Sequence, residues 1–190
     1  CEIGGDPFNM TVAALRLSSK ANAVSKIHGE TARKMWQGID NSAPIISITN
    51  GVHNATWQSE LIKNAYEKNE SLEEPHQILK GRLIEYIKDK TGVQFQKDKL
   101  LIGFARRATA YKRSGLIFSD PEKMDLLLKD GKVQMVFSGK AHPKDYEGKD
   151  IIQSIVTISQ KYKNSVVFLE NYDMEIGKLL VQGCDIWLNN

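Results

Sequence analysis

The last hundred residues alternate between short apolar runs and longer stretches whose apolar residues recur at helical spacing. Short runs bounded by turn residues are typical of buried strands, and the stretches between them predict helices. The predicted strands are residues 100–105, 133–137, 166–169 and 185–188. The predicted helices are residues 112–118, 121–129, 146–161 and 174–182, the second and fourth capped by Asp120 and Asp173. This alternation predicts an α/β fold in which a parallel, Rossmann-like sheet is covered by helices on both faces.

The first part of the chain, residues 1–58, has the periodicity of helices followed by one short strand. Apolar residues recur at helical spacing over residues 12–36, and Gly29 predicts a break between two helices. Residues 44–49 predict a buried strand, which a turn at Asn50-Gly51 closes.

The middle of the chain, residues 59–95, is polar and rich in Lys and Glu. Its apolar residues between positions 78 and 87 predict one amphipathic helix. No residue pattern in this stretch indicates chemistry, so we predict a helical connector. The chain therefore divides into residues 1–58, 59–95 and 96–190.

Composition and charge exclude several classes of protein. The chain has 190 residues, of which 41% are hydrophobic and 26% charged. These values exclude a protein that is mainly disordered. No run approaches the roughly 18–20 apolar residues that a membrane span requires. The 26 basic and 23 acidic residues give a net charge of +3, which is too small to indicate a dedicated nucleic-acid-binding protein.

The cysteines and the two ends of the chain bear on its location and completeness. Cys1 and Cys184 form neither a disulfide framework nor a zinc-ligand spacing, so a reducing, cytoplasmic location is the simplest interpretation. No charged and then apolar leader precedes the first helical pattern. The chain starts without Met and stops at Asn190, directly after a predicted strand that would lack a covering helix. We therefore expect a fragment of a longer protein, with a complete, trimmed domain as the alternative.

Positive charge is concentrated directly after the first strand of the predicted sheet. Residues 106–113 carry four cations and no acid, and ligands of α/β proteins bind at the carboxyl ends of strands. Lys112 and Arg113 lie at a predicted helix start, where each cation is unfavourable by about 0.3–1 kcal/mol. Arg and Lys together with backbone N–H groups suit a phosphate. A solvated basic turn is an equally good interpretation of the residue types alone.

Polar residues also follow the other predicted strands. Within residues 138–143, Gly139 permits close backbone approach, and the lysine beside it could hold an anion. Residues 170–172 (Glu-Asn-Tyr) suit a polar ligand such as a sugar. Asn50 could contact hydroxyl groups and Trp57 could stack on a ring, although a turn residue and a core residue are their default roles. No Walker loop, nucleophile elbow or metal-binding motif is present, so we expect no metal.

Five blocks of the sequence resemble the α-glucan (glycogen/starch) phosphorylases, in particular the shorter bacterial and archaeal type. The blocks are FNMTVAALRLSSKANAVSKIHGETARKMW, ITNGVHNATW, IGFARRATAYKRSGLIF, VQMVFSGKAHP and VVFLENYD. They occur in the family's order and at its spacing, and they extend over nearly the whole chain.

The resemblance implies a GT-B fold, in which two Rossmann-like domains face each other across the active site. Residues 1–58 would then end the first domain and residues 96–190 would form the first half of the second. It also implies phosphorolysis of α-1,4-glucan to glucose 1-phosphate with retention, with pyridoxal phosphate as the cofactor. The implied partners are glucan and inorganic phosphate, without nucleic acid or membrane, and family members are commonly homodimers.

The matching motifs imply roles for four residues at the substrate. Arg107 and Lys112 resemble the catalytic residues that hold the substrate phosphate. Tyr111 and Asn50 resemble residues that contact the glucosyl unit. Cations suit this site because the phosphates of substrate and cofactor repel each other in one cleft.

The motifs also imply roles at the cofactor. Arg106 takes the place of a cation near the cofactor phosphate, and Trp57 and Tyr172 match residues that line the cofactor pocket. The resemblance places the Schiff-base lysine beyond Asn190 and a catalytic histidine before Cys1, so we expect the 190-residue chain alone to be inactive.

The chain departs from the larger family members at two places. It has Thr109-Ala110 where they have a His-Glu pair, and Asp173 where they have a basic residue. Two other functions stay open from the sequence: a nucleotide-sugar glycogen or starch synthase, in which Arg107 and Lys112 would hold a diphosphate, and a non-catalytic carbohydrate-binding module.

Overall fold

The structure is a computed structural model that describes residues 2–189. Cys1 and Asn190, on which the arguments about cysteines and chain ends partly rest, lie outside the described residues. The chain forms two compact units, Cys1–His53 and Asn54–Asn190. The three-part division of the sequence stays a prediction. Within residues 2–189, no helix combines the length and apolar character needed to cross a membrane.

Helices and strands alternate along most of the chain. The strands are β1 (Ala21–Ala23), β2 (Ile45–Ser47), β3 (Leu100–Ala105), β4 (Val133–Ser138), β5 (Val166–Leu169) and β6 (Ile186–Trp187). The α-helices are α1 (Met10–Leu17), α2 (Lys26–Met35), α3 (Asn54–Trp57), α4 (Glu60–Glu67), α5 (Glu73–Thr91), α6 (Pro121–Lys129), α7 (Tyr146–Lys161) and α8 (Met174–Gly183).

The first unit contains a two-stranded parallel sheet with a helix against it. β1 pairs with β2 from Ala21↔Ile45 to Ala23↔Ser47. The predicted helix break at Gly29 is wrong, because α2 continues through this residue. A Cβ atom at Gly29 would clash with the hydroxyl of Ser47, so the glycine lets α2 pack closely on β2.

The second unit is built on a four-stranded parallel sheet in the order β5-β4-β3-β6. The register of the central pair runs from Leu100↔Val133 to Ala105↔Ser138. Helices α5 and α8 pack on one core cluster, and α6 and α7 on a second. The predicted α/β class, with a parallel sheet and helices on both faces, is therefore confirmed.

The predicted helix over residues 112–118 is wrong. Two short 3-10 turns, Ala110–Lys112 and Leu116–Phe118, occupy this region. Arg113 lies between them in the left-handed conformation, with φ of 48°. A left-handed residue interrupts the repeating hydrogen bonds of an α-helix, so the turns remain separate.

The predicted helix caps are confirmed. The Asp120 carboxylate accepts a hydrogen bond from the backbone N–H of Lys123 at 3.1 Å. The Asp173 carboxylate accepts one from the backbone N–H of Ile176 at 2.9 Å. Both contacts satisfy N–H groups that a helix start leaves without a partner.

A buried ion pair joins α5 to the amino-terminal end of the sheet. The Lys80 side chain is 3% exposed, and its Nζ lies 2.6 Å from Oδ2 of Asp185. The same ammonium donates to the carbonyl of Lys99 at 2.7 Å, and the backbone N–H of Leu101 donates to Asp185 at 2.7 Å. The pair therefore fixes α5, the start of β3 and the approach to β6 at one point.

Candidate functional site

The loops that leave the carboxyl ends of the central strands are joined by hydrogen bonds. The backbone N–H of Ala108, after β3, donates to the carbonyl of Lys140, after β4, at 3.0 Å. The buried hydroxyl of Ser138, the last residue of β4, donates to the carbonyl of Leu169 at the end of β5 at 2.7 Å. These contacts join the carboxyl ends of β3, β4 and β5. The sequence analysis had identified the same three strand ends as candidate ligand sites.

Two glycines let these loops approach closely. A Cβ atom at Gly139 would clash with the carbonyl oxygen of Arg106, which confirms the close backbone approach predicted there. A Cβ atom at Gly148, in the first turns of α7, would clash with the carbonyl oxygen of Ala108. Sequence reasoning missed Gly148, because its neighbour is 40 positions away and no local pattern marks the contact. The basic loop is thus packed between the loop that follows β4 and the start of α7.

The basic loop, residues 106–113, presents cations to solvent. Arg107 is exposed and makes no hydrogen bond or ion pair with any residue in the described part of the chain. The Lys112 Nζ lies 4.6 Å from the ring centroid of Tyr111, which is itself 70% exposed. Such an exposed cation–π contact contributes about 0.5–1 kcal/mol and leaves the ammonium free to bind an anion.

Arg106 and Thr109 lie deeper in the basic loop. Arg106 is half-buried where the chain leaves β3. The Thr109 hydroxyl is buried and has no hydrogen-bond partner among residues 2–189, although the Thr109 carbonyl accepts from the backbone N–H of Lys112 at 3.0 Å. A buried hydroxyl without a partner is unusual in native proteins. Sequence reasoning did not single out this hydroxyl.

Trp57 and Tyr172 meet at one position of α8. A Cβ atom at Gly177 would lie 2.9 Å from the Tyr172 hydroxyl and 3.3 Å from Cζ3 of Trp57. The Gln182 side chain donates to the Trp57 carbonyl at 2.8 Å, which fastens α3 to α8. The structure therefore brings together the two aromatic residues that the sequence assigned to one pocket. Gly177 was missed, since its contact with Trp57 joins residues that are 120 positions apart.

Asn50 lies in the first unit. Its side chain is exposed, and its backbone N–H donates to the carbonyl of Val24 at 3.1 Å. The residue thus follows β2 as predicted. Its ligand role, like those of the residues in the second unit, stays a prediction.

The whole chain has counterparts in longer proteins. It is 36% identical to the glycogen phosphorylase of Aquifex aeolicus, a match that covers 100% of the chain and 35% of the relative. It is 34% identical to the maltodextrin phosphorylase of Thermococcus litoralis, with 98% of the chain and 28% of the relative covered. The chain is homologous to the glycogen and maltodextrin phosphorylases. The resemblance stated from the motifs is thereby confirmed.

This phosphorylase homologue also resembles an uncharacterized protein of Methanocaldococcus jannaschii. The two are 39% identical over 99% of the chain and 36% of the relative. The chain thus spans about a third of the length of the relatives it matches. No protein-family model matches it.

The phosphorylase homologue is shorter in this region than the relatives named as phosphorylases. Its alignment with the Aquifex protein runs over 241 positions, 51 more than the 190 residues of the chain. The alignment with the Methanocaldococcus protein runs over 190 positions. The chain and the Methanocaldococcus protein therefore share a more compact version of this region.

Proposed function

We propose that this phosphorylase homologue is part of an enzyme that cleaves α-1,4-glucan with inorganic phosphate and releases glucose 1-phosphate with retention. The observation that carries the proposal is the basic loop, which leaves the carboxyl end of β3 and is packed against the loop after β4 and the start of α7. The names of the relatives support the same activity. The proposed architecture of the whole enzyme is GT-B, and the proposed location is the cytoplasm. A homodimer is the assembly we expect from the resemblance.

In this proposal, Arg107 and Lys112 hold the substrate phosphate. A guanidinium forms two parallel hydrogen bonds to phosphate oxygens, and an ammonium adds a compact positive charge. Both residues lie on one loop whose backbone is fixed by the contacts at Gly139 and Gly148. Tyr111, beside Lys112, contacts the glucosyl unit together with Asn50.

The described residues fit pyridoxal phosphate as the cofactor. Trp57 and Tyr172 present aromatic groups at Gly177, where the absence of a side chain gives them room, and a planar heteroaromatic ring suits such surroundings. Arg106 is the cation we assign to the cofactor phosphate. When bound, the cofactor supplies a phosphate group that relays a proton to the substrate phosphate. No lysine of this chain is assigned the Schiff-base role.

The proposal is tested with the protein in its full natural length, supplied with pyridoxal phosphate and assayed for glucose 1-phosphate release from glucan. Arg107→Ala should raise the KM for phosphate about 10- to 100-fold, because a hydrogen bond to a charged group contributes about 1.5–3 kcal/mol. Arg82→Ala, which removes an exposed arginine on α5, is the matched control and should leave the KM unchanged.

The same assay separates the alternatives. A nucleotide-sugar synthase would transfer glucose from a nucleotide sugar and release no glucose 1-phosphate from glucan. A binding module would bind glucan with no dependence on phosphate or on Arg107. The 190-residue chain by itself should release no glucose 1-phosphate, and detectable release would contradict this expectation.

A further inference from the structure

Strand β5 forms an open edge of the four-stranded sheet in the second unit. The order β5-β4-β3-β6 matches the first four strands of the doubly wound order 3-2-1-4-5-6, in which the further strands are added beside the fourth. In the GT-B architecture proposed above, β5 would therefore remain at the edge. Its sequence, Val-Val-Phe-Leu, lacks the charged residues and proline that protect many exposed edges from pairing.

The backbone of β5 presents hydrogen-bonding groups at this edge. The N–H of Met135 donates to the carbonyl of Ser165 at 2.7 Å, and the register pairs Met135 with Val166. In a parallel pair, alternate residues of a strand direct both backbone groups to the same neighbour, so Val167 bonds to β4 and Phe168 faces away from it. Within residues 2–189, neither backbone group of Phe168 has a hydrogen-bond partner.

Two cavities meet at Phe168 and make the edge accessible. One, of about 540 Å³, is lined by the end of β5, the loop after it and the end of α5. The other, of about 290 Å³, is lined by the start of β5 and the end of α7. Together their linings include all four residues of β5. An added strand would lie about 4.8 Å from β5, and the half-buried Phe168 ring would give it apolar surface to pack on.

The two ends of this edge carry opposite charge. The exposed Lys163 lines the cavity at the start of β5. The cavity at the other end is lined by Glu170 and Asp173, with Lys90 as the opposing cation. A two-fold axis at Phe168 would run two copies of β5 antiparallel and bring Lys163 of each copy toward the carboxylates of the other. It would also set the two Phe168 rings side by side, as in favourable cross-strand pairs. The edge therefore complements itself, as a two-fold interface requires.

We propose that β5 is an interface at which a second copy of this protein adds its own β5 antiparallel, so that the two sheets become continuous. The proposal rests on the proposed function for the GT-B architecture, which leaves the edge open, and not for the reaction. The loop after β5 carries Tyr172, which meets Trp57 at Gly177. Assembly at β5 would therefore also order the aromatic pair that we assign to the cofactor.

The test is sedimentation equilibrium of the full-length protein and of charge variants at the edge. Lys163→Glu and Glu170→Lys each bring like charges together across the axis and should raise the dissociation constant of the dimer by about tenfold or more. The double variant exchanges the two charges and should return the constant to within about threefold of the wild-type value, because opposite charges face each other again. Lys149→Glu, an exposed reversal on α7 that lines neither cavity, is the matched control and should leave the constant unchanged.

Two further measurements address the strand itself. Phe168→Lys places an ammonium group of each copy at the axis and should abolish the dimer, since charged side chains on an edge strand oppose pairing. In the wild-type protein, hydrogen exchange of the Phe168 amide should slow as the concentration rises past the dissociation constant, because the N–H is then bonded across the interface.

The outcomes distinguish this proposal from the proposed function. A monomeric wild-type protein would show that another segment or a different protein covers the edge, and would overturn the interface. A dimer that Phe168→Lys and both single reversals leave intact would overturn it as well, and so would a double variant that is no stronger than the single ones. Release of glucose 1-phosphate is measured separately: a monomer that releases it refutes only the interface, and a β5 dimer that does not release it refutes only the reaction.

Discussion

Removal of the Asp185 carboxylate tests the buried ion pair that fastens α5 to the sheet. Asp185→Ala would take away the oxygen that accepts from both the Lys80 ammonium and the backbone N–H of Leu101. The Lys80 side chain is 3% exposed, so water has little access to the ammonium that loses its partner. We therefore expect one of the larger single-residue losses of stability in this chain.

The expected magnitude follows from burial. Breaking a buried pair by removing one partner typically costs about 3–5 kcal/mol, because the remaining charge stays desolvated. Lys80→Met should cost less, about 1–3 kcal/mol, since Asp185 keeps the hydrogen bond from Leu101 and is 18% exposed. The double variant should cost less than the sum of the two, because neither charge is then left without its partner.

The assay is urea unfolding of the full-length protein, followed by circular dichroism. Lys123→Met is the control, because it removes a lysine from an exposed pair with Asp120, and exposed pairs contribute little to stability. It should leave the unfolding midpoint unchanged. If Asp185→Ala shifts the midpoint no more than Lys123→Met does, the buried pair is not what fastens α5 to the sheet.

Three further predictions concern the basic loop and the buried thiol. Gly148→Ala should destabilise the protein by about 1–3 kcal/mol in thermal melts and weaken phosphate binding in titrations, since the new methyl group displaces the loop backbone. Gly115→Ala is the control and should change neither quantity, because a Cβ atom at Gly115 has no atom within 4 Å. Thr109→Val should leave the melting temperature equal or higher, and a marked decrease would show that the hydroxyl has a partner in the folded protein. Burial, more than the neighbouring Asp185 charge, raises the pKa of Cys184 to about 12. In a variant with Cys1 replaced by serine, a disulfide reagent at pH 8 should therefore react with Cys184 about a thousandfold more slowly in the folded chain than in the unfolded chain. Equal rates would contradict this prediction.

The sheet of the second unit could be predicted from sequence because its central strands, β3 and β4, are largely buried. Residues 133–138 are buried throughout, and such strands read as continuous apolar runs. β1 could not be found in this way, since Ala21-Asn22-Ala23 is short and without a strong apolar pattern. The helix predicted over residues 112–118 failed because periodicity does not reveal a left-handed residue such as Arg113.

The candidate site could be predicted where charged residues or glycine directly follow a strand in sequence. The cations of the basic loop and the close approach at Gly139 could be inferred from strand ends alone. The contacts at Gly148 and Gly177 could not, because each depends on packing between elements far apart along the chain.

The central claim is that the basic loop binds phosphoryl oxygens. Calorimetric titration with inorganic phosphate tests it most directly. It is carried out on the full-length protein with pyridoxal phosphate bound and without glucan, so that no phosphorolysis takes place during the titration. Phosphate affinity should fall at least tenfold in Arg107→Ala and in Lys112→Ala, and should be retained in Arg82→Ala. Wild-type affinity in both loop variants would contradict the account.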